Sequence, residues 1–358
     1  MAPTIVIAEI GQNHNGNIPF AERLIDMAAM PIVDHYSGES HKGVDAVKFQ
    51  KRDLTEELTR DAYRTEYNSP HAFGETYGKH RETLELSYEE HRDLGVYAKE
   101  KGLQFIETLC SPRCLKLCEM VDIDYLKVAS RDLTNVPLLR SLAAMRIPII
   151  LSTGMGGNDD LDQALETIVP FHEQITILHC LSEYPAPYAR LGLPRIRELA
   201  DRYPEKIIGY SDHSPGIMAP VAAVCLGAKV IEKHITLSRQ LKGSDHAGAL
   251  EPDGLWRMVR DIRNVEQALN PATAQIREQA TLETREKLQR SLSASRDIDK
   301  GECLTESDLA MLSPGTGLGW RQRHLVVGKP ALQHIPMNSH LSPAQFTESL
   351  INEQKRMA

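Results

Sequence analysis

Residues 206–237 read "KIIGYSDHSPGIMAPVAAVCLGAKVIEKHITL". Two β-branched, apolar runs, "KIIGYSDH" (206–213) and "KVIEKHITL" (229–237), flank "GIMAPVAAVCLGA", which has helical texture. Strand, helix and strand in about thirty residues is the repeating unit of a parallel sheet. Both strands carry a histidine at or near the end, His213 and His234. Side chains alternate along a strand, so Ser211 shares a face with His213, and Glu232 with His234.

The same unit recurs upstream. Strand candidates are "TIVIAEIG" (4–11), "DAVKFQ" (45–50), "QFIETL" (104–109), "DYLKVA" (124–129), "PIILSTG" (148–154) and "ITILHCL" (175–181). Helical segments alternate with them: "SYEEHRDLGVYAKEKG" (87–102), "NVPLLRSLAAM", "DDLDQALETIV", "LPRIRELADRY" and finally "EPDGLWRMVRDIRNVEQALN" (251–270). Ser87 with Glu90 three residues on is a capping box, and Gly102 a helix stop. Eight short apolar strands with helices between them predict an α/β fold, a closed (β/α)8 TIM barrel rather than an open sheet. No Gly-x-Gly-x-x-Gly follows the first strand, which argues against a dinucleotide-binding fold.

Three stretches break the rhythm. "DHYSGESHKG" (34–43) interrupts the first helix-to-strand connection. Residues 51–86 form a long polar insertion after the second strand, and insertions of that size act as lids or are disordered; its tyrosines and histidines argue against plain disorder. After residue 270 a polar connector (271–288) leads to a small domain of mixed or β type (289–351). The barrel is assigned to 1–270.

The 358 residues carry a net charge of −8, with 41% apolar and 25% charged residues. That balance implies no basic surface for nucleic acid. No apolar run reaches membrane-spanning length, and the N-terminus lacks a signal-peptide pattern, so a cytoplasmic protein is expected. Six cysteines do not make a disulfide framework. Cys110, Cys114 and Cys118 would share one face if their stretch is helical. Small apolar fillers are the favoured reading there, over a thiolate metal site.

In a TIM barrel the site lies at the C-terminal strand ends. The polar residues there are Glu9, Asn13 and Asn15; Lys48 and Gln50; Thr108; Lys127, Ser130, Arg131 and Asp132; Ser152 and Thr153; His179, Ser182 and Tyr184; Ser211, Asp212 and His213; and Glu232 with His234. Neighbouring strands lie about 4.8 Å apart, so His213 and His234 can meet at one divalent cation, leaving positions open for water and substrate. The competing reading is a pair of hydrogen-bonded buried histidines. Lys48 and Lys127 sit in apolar strands, and two buried ammoniums facing one cavity need an anion. With Thr108, Ser130 and Ser211 they suit a phosphate and a carboxylate together. A Schiff-base aldolase using Lys127 or Lys48 is the alternative; the histidines count against it.

Seven motifs occur in order: "IAEIGQNHNG", "VKFQ", "ILSTGM", "LHCLSEYPAPY", "GYSDHS", "EKHITL" and "GSDHAGALEPD". Together they resemble the N-acetylneuraminate (sialic acid) synthase family, including its legionaminic, pseudaminic and spore-coat members. "SLSASRDIDKGECLTESDL", followed by "PGTG" and "VVGKPA", resembles that family's antifreeze-like (SAF) domain. The resemblance implies condensation of phosphoenolpyruvate with an open-chain 2-acetamido aldose, giving a 3-deoxy-2-keto sugar acid and phosphate, with Mn2+ or Mg2+. It implies His213 and His234 as metal ligands. Lys48, Thr108, Lys127, Ser130 and Ser211 would hold phosphoenolpyruvate, with Gln50 nearby, and Tyr184 and Asp245 would face the sugar. It implies a head-to-tail homodimer in which one subunit's small domain caps its partner's barrel. A non-catalytic sugar-binding relative is the third reading.

The donor side matches the family pattern; the acceptor side departs from it. Asn15 stands where sialic acid synthases often have glutamate, Ser130-Arg131-Asp132 where Ser-Gly-Glu is usual, Ser182 for asparagine, and Ser313-Pro314-Gly315 for Arg-Pro-Gly. Arg131, Arg321 and Arg323 are candidate replacements for the lost guanidinium, and Asn68, His80 and Arg81 are further candidates from the insertion. An acceptor other than plain N-acetylmannosamine is expected.

Overall fold

The computed structural model describes residues 3–33, 38, 40–270 and 280–347. Eight parallel strands close into a barrel: β1 (Ile5–Gly11), β2 (Ala46–Lys51), β3 (Gln104–Leu109), β4 (Tyr125–Val128), β5 (Ile149–Ser152), β6 (Ile175–Cys180), β7 (Ile207–Asp212) and β8 (Val230–His234). Each pairs with the next, and β8 pairs with β1 to close the ring. All eight runs read from the sequence are strands; β3 matches its run at both ends, and no other end is shifted by more than three residues.

The helices are α1 (Ile18–Ala29), α2 (Tyr77–Leu84), α3 (Tyr88–Glu100), α4 (Val136–Ala144), α5 (Asn158–Ile168), α6 (Arg195–Arg202), α7 (Met218–Cys225) and α8 (Pro252–Ala268). α3 begins on the Ser87–Glu90 capping box. α5 buries Leu161, Ala164, Leu165 and Ile168, the i, i+3, i+4, i+7 stripe of an amphipathic helix. Such stripes meet the outward strand residues, among them Val6, Val47, Phe105, Leu126, Ile177 and Ile231, in one continuous core. Burial of this layer between sheet and helices is the main stabilising term.

The inward residues form a second, smaller core. Ile7, Ala46, Ile106, Ile150, Leu178 and Val230 pack together inside the barrel, with Tyr125 against them. This apolar plug is the floor on which everything above it stands.

The irregular stretches resolve as follows. At the break, Ile32–Val33 pairs antiparallel with Ser40–His41; residues 34–37 and 39 lie outside the described ones. The insertion holds short helices Leu54–Glu57 and Arg60–Arg64 and then α2. Cys110 does not share a helix face with Cys114 and Cys118: the 3₁₀ segment Pro112–Glu119 starts after it. Cys114 lies in the main core and Cys118 packs against it, as apolar fillers do.

The chain divides into two compact units between Asn270 and Pro271. In the second, the helix α9 (Leu282–Leu288) falls within the stretch read as a polar connector. β9 (Ser291–Ala294) pairs antiparallel with β10 (Leu309–Leu312), and Leu292, Ile298, Leu304, Val326 and Ile335 belong to a separate core. Residues 271–279 and 348–358 lie outside the described ones. Among the described residues no helix is long and apolar enough to cross a membrane.

Candidate active site

Strand alternation builds the site tier by tier. Two residues beyond the apolar floor, the eight strands present Glu9, Lys48, Thr108, Lys127, Ser152, Cys180, Ser211 and Glu232. Two residues further stand Gly11, Gln50, Cys110, Ala129, Gly154, Ser182, His213 and His234. The polar tier and the upper side chains line a cavity of about 280 Å³. Tyr184 and Asp245 line it too, as do Ser130, Arg131, Gln12, Arg52 and Arg81.

Four buried charges share the polar tier. Lys48 Nζ lies 2.7 Å from Glu9 Oε2 and donates to Thr108 Oγ1 at 3.0 Å. Lys127 Nζ donates to Ser152 Oγ at 2.7 Å and to the Val128 carbonyl at 3.1 Å. Glu232 sits between the lysines, 3.9 Å from each, and accepts from the Ser211 hydroxyl at 2.8 Å. Both lysines are 3% exposed, so their charge is balanced inside the barrel rather than by water.

The two carboxyls are driven apart in acidity. Burial raises Glu9 to about 7; the Lys48 ammonium pulls it down, the Glu232 charge pushes it up, and the Gln50 amide hydrogen bond pulls it down. Glu232 is brought down to about 2 against its burial, because Lys127 and Lys48 both attract its charge. Burial lowers Lys127, only partly offset by Glu232. Lys48 is raised: burial opposes this, but Glu232 and Glu9 outweigh it.

A carboxyl whose folded pKa exceeds its unfolded value binds its proton more tightly when folded. Glu9 therefore withdraws stability as pH climbs from about 4.5 to about 7. Glu9→Gln is expected to raise the unfolding temperature at pH 8 and to leave it nearly unchanged at pH 4.5. Thermal denaturation across that range checks the sign.

Two glycines admit the close approaches at the upper tier. β1 ends in a register shift between Glu9 and Gly11. Gly11 has φ +52°, and a Cβ there would lie 2.8 Å from Glu9 Oε1. Gly154 donates its N–H to Ser130 Oγ at 3.0 Å, and a Cβ there would lie 2.4 Å from Ser182 Oγ.

His213 and His234 face each other, with ring centroids 5.5 Å apart. His213 Nδ1 is 2.8 Å from the Leu181 carbonyl, which fixes Nδ1 as the protonated nitrogen and leaves Nε2 a free lone pair. His234 Nδ1 is enclosed without a hydrogen-bond partner among the described residues, and burial lowers the pKa of the ring. The Tyr184 ring stands 4.0 Å from His213 and 6.0 Å from His234.

Of the residues named from the sequence, Glu9, Lys48, Gln50, Thr108, Lys127, Ser130, Ser182, Tyr184, Ser211, His213, His234 and Asp245 line this one cavity. Asn13, Asn15 and Asp132 are turned into loop scaffolding. Asn13 donates to the Ile235 carbonyl at 2.8 Å. Asn15 donates to the Lys242 carbonyl at 3.0 Å and meets His246 Nε2 at 3.2 Å, tying down the loop that carries Asp245. Asp132 accepts from Asn135 and pairs with Arg131 at 3.4 Å. His179 leaves the site for the Leu191 carbonyl. In the insertion, His80 packs on Tyr67 and Phe73, and Asn68 points to Glu66; Arg81 alone of the three lines the cavity. Arg131 lines it as well, donating to Cys110 Sγ. Arg323, in the second unit, pairs with Glu306 at 2.7 Å. The sequence reading gave no role to Glu232 and passed over Gln12, Arg52 and Cys180; strand parity with His234 and Leu178 was the available signal for Glu232 and Cys180.

Residues 38–274 match the NeuB family and residues 289–347 the SAF domain. The chain is 36% identical over 332 residues to human N-acetylneuraminate-9-phosphate synthase, covering 92% of this chain and 89% of that one. It is 33% identical to N,N'-diacetyllegionaminic acid synthase of Legionella pneumophila, covering 90% and 89%. The crystal structure of spore coat polysaccharide biosynthesis protein SpsE from Bacillus subtilis superposes with a TM-score of 0.61 at 32% identity, covering 97% and 96%. The chain belongs to the NeuB family, with a SAF domain following its barrel.

Proposed function

We propose that this protein condenses phosphoenolpyruvate with the open-chain form of a 2-acetamido aldose, releasing phosphate and giving a nonulosonic-type 3-deoxy-2-keto sugar acid. The observation that carries the reading is the polar tier: two buried ammoniums beside hydroxyls, directly below a facing pair of imidazoles. Two of the relatives named above, N-acetylneuraminate-9-phosphate synthase and N,N'-diacetyllegionaminic acid synthase, make sugar acids of this type, as their names state.

Lys48 and Lys127, with Thr108, Ser130, Ser152 and Ser211, take the phosphate and carboxylate of the donor. The enol carbon C3 bonds to the aldehyde carbon, and the aldehyde oxygen takes up a proton. Positive charge develops at C2, where water adds and loses a proton to a base. Glu9, with its pKa near neutrality, is suited to hold that proton. The bond from C2 to the phosphate oxygen then breaks as the C2 hydroxyl becomes the keto group, its proton passing to the departing phosphate, whose remaining charge is stabilised by the two ammoniums.

The histidines fit a divalent cation. One ring keeps Nε2 free because Nδ1 is bonded elsewhere, and the other has an enclosed nitrogen without a partner. No group of three or more His, Cys, Asp or Glu forms a metal cage among the described residues, so His213 and His234 would hold Mn2+ or Mg2+ with water and substrate completing the shell. When bound, the ion supplies Lewis-acid polarisation of the aldehyde oxygen. We also propose a homodimer, for which light scattering should give twice the mass of one chain.

One observation favours a second reading. Burial lowers the Lys127 ammonium, as a Schiff-base nucleophile requires. An assay of phosphate release from phosphoenolpyruvate across a panel of aldoses, with and without chelator, separates the two. Condensation gives aldose-dependent phosphate that the chelator abolishes. Chelator-insensitive turnover with borohydride trapping of a lysine adduct would contradict it.

A further inference from the structure

The two imidazoles are held by different means. His234 is the last residue of β8, and the ladder with β1 sets it opposite Glu9. The following residue continues that support, Ile235 N–H donating to the Glu9 carbonyl at 2.9 Å. His213 stands one residue beyond its strand: the ladder between β7 and β8 ends on the pair Asp212 and Lys233. The Leu181 carbonyl meets the His213 ring, and the Ala186 N–H donates to the His213 carbonyl at 2.9 Å. Both contacts come from the loop after β6. What ties His213 to the strand bearing His234 is a side chain.

That side chain is Lys233, the residue just before His234. Its Nζ donates to Asp212 Oδ2 at 2.5 Å and to the Ser214 carbonyl. Asp212 and Ser214 are the two neighbours of His213 in the chain. Asp212 Oδ1 in turn accepts from the Ser214 N–H at 3.0 Å and from the Tyr210 hydroxyl at 2.8 Å. One ammonium therefore grips the chain immediately before and after one imidazole and is covalently adjacent to the other. Lys233 and Ser214 are 0% exposed and Asp212 1%, so water does not compete for these bonds. The cavity is lined by Ser211 and His213 on one strand and by Glu232 and His234 on the next, so the clamp lies behind the site and leaves its lining to others. A buried ion pair is a weak source of stability, because apolar side chains of similar volume commonly serve as well. What it does supply is direction. Hydrogen bonds behind metal-binding residues orient them, and losing one typically costs about tenfold to a hundredfold in metal affinity.

We infer that Lys233 is a positioning residue for the imidazole pair: by holding the Asp212 carboxylate and the Ser214 carbonyl it sets His213 against His234, at the 5.5 Å ring separation from which both can bind one divalent cation. The inference rests on the cation reading of that pair and adds the residue that keeps the pair in register.

The test titrates Mn2+ into chelator-stripped, dialysed protein and reads free Mn2+ by electron paramagnetic resonance, well below the unfolding transition of each variant. Phosphoenolpyruvate affinity is measured beside it by calorimetry. The unaltered protein is expected to bind Mn2+ at a site that His213→Ala abolishes. Lys233→Met should weaken that binding about tenfold to a hundredfold, with the phosphoenolpyruvate Kd held within about threefold. Tyr210→Phe removes only the hydroxyl behind Asp212 and should weaken Mn2+ binding about threefold; it carries the test if Lys233→Met does not fold. Mn2+ affinity unchanged in the folded variants overturns the inference and leaves the cation reading standing. Equal losses of Mn2+ and phosphoenolpyruvate affinity also overturn it, since general loosening of the fold would produce them. No Mn2+ binding by the unaltered protein, or binding that survives His213→Ala, overturns the cation reading and the inference with it.

Discussion

Lys127→Met is expected to lower kcat/KM for phosphoenolpyruvate about a thousandfold, and Lys48→Met by at least as much. Removing one partner from a buried charge network costs about 3–5 kcal/mol, because the remaining charge is left uncompensated. Here the charges left are Glu232 for Lys127, and Glu9 with Glu232 for Lys48. The loss should appear in donor affinity by titration calorimetry as well as in turnover. Lys233 supplies the contrast. It is equally buried and adjacent to both Glu232 and His234, but strand alternation turns it away from the cavity, where it pairs with Asp212 and the Ser214 carbonyl. Lys233→Met should lower the unfolding temperature while leaving the phosphoenolpyruvate KM of the folded fraction near its original value. Donor binding unchanged in Lys127→Met would contradict the assignment of the tier.

His213→Ala and His234→Ala are each expected to reduce turnover about a hundredfold to a thousandfold, the range associated with removing one electrostatic stabiliser from a carbonyl addition. The two losses should not add, since either substitution disrupts the same pair. Phosphoenolpyruvate affinity should change by less than about threefold, because the lysine tier lies below the imidazoles and keeps its own counter-charges. Residual activity should no longer respond to chelator. Steady-state kinetics with added Mn2+ or Mg2+, beside calorimetry with the donor, measure both halves. Full activity in either variant, or loss of donor binding without loss of metal response, would contradict the division of labour between tiers.

Much of this was legible in the sequence because the barrel obeys a two-residue period. Once Ile7, Ile106 and Ile150 are read as inward, Glu9, Thr108 and Ser152 must be inward as well, and the cavity composition follows. What did not follow was pairing. Glu232 faces two lysines that lie 184 and 105 positions earlier in the chain, and only closure of the ring brings them to 3.9 Å from it. Loops were the other gap. A polar residue beyond a strand end can turn either way, and Asn13, Asn15 and Asp132 turn toward backbone carbonyls and neighbouring side chains. The insertion was readable as ordered from its aromatics. That His80 fills its small core while Arg81 reaches the cavity depends on the helical phase of α2, which its short, polar sequence does not declare.

The account depends on a donor tier and an imidazole pair serving one reaction space. Crystals soaked with Mn2+ and phosphoenolpyruvate, measured at the manganese edge, test this most directly. One anomalous peak bonded to ring nitrogens of both His213 and His234 is expected, with the enolpyruvyl phosphate in the same cavity against Lys48 and Lys127. Manganese bound away from that pair, or phosphoenolpyruvate seated outside the lysine tier, would contradict it.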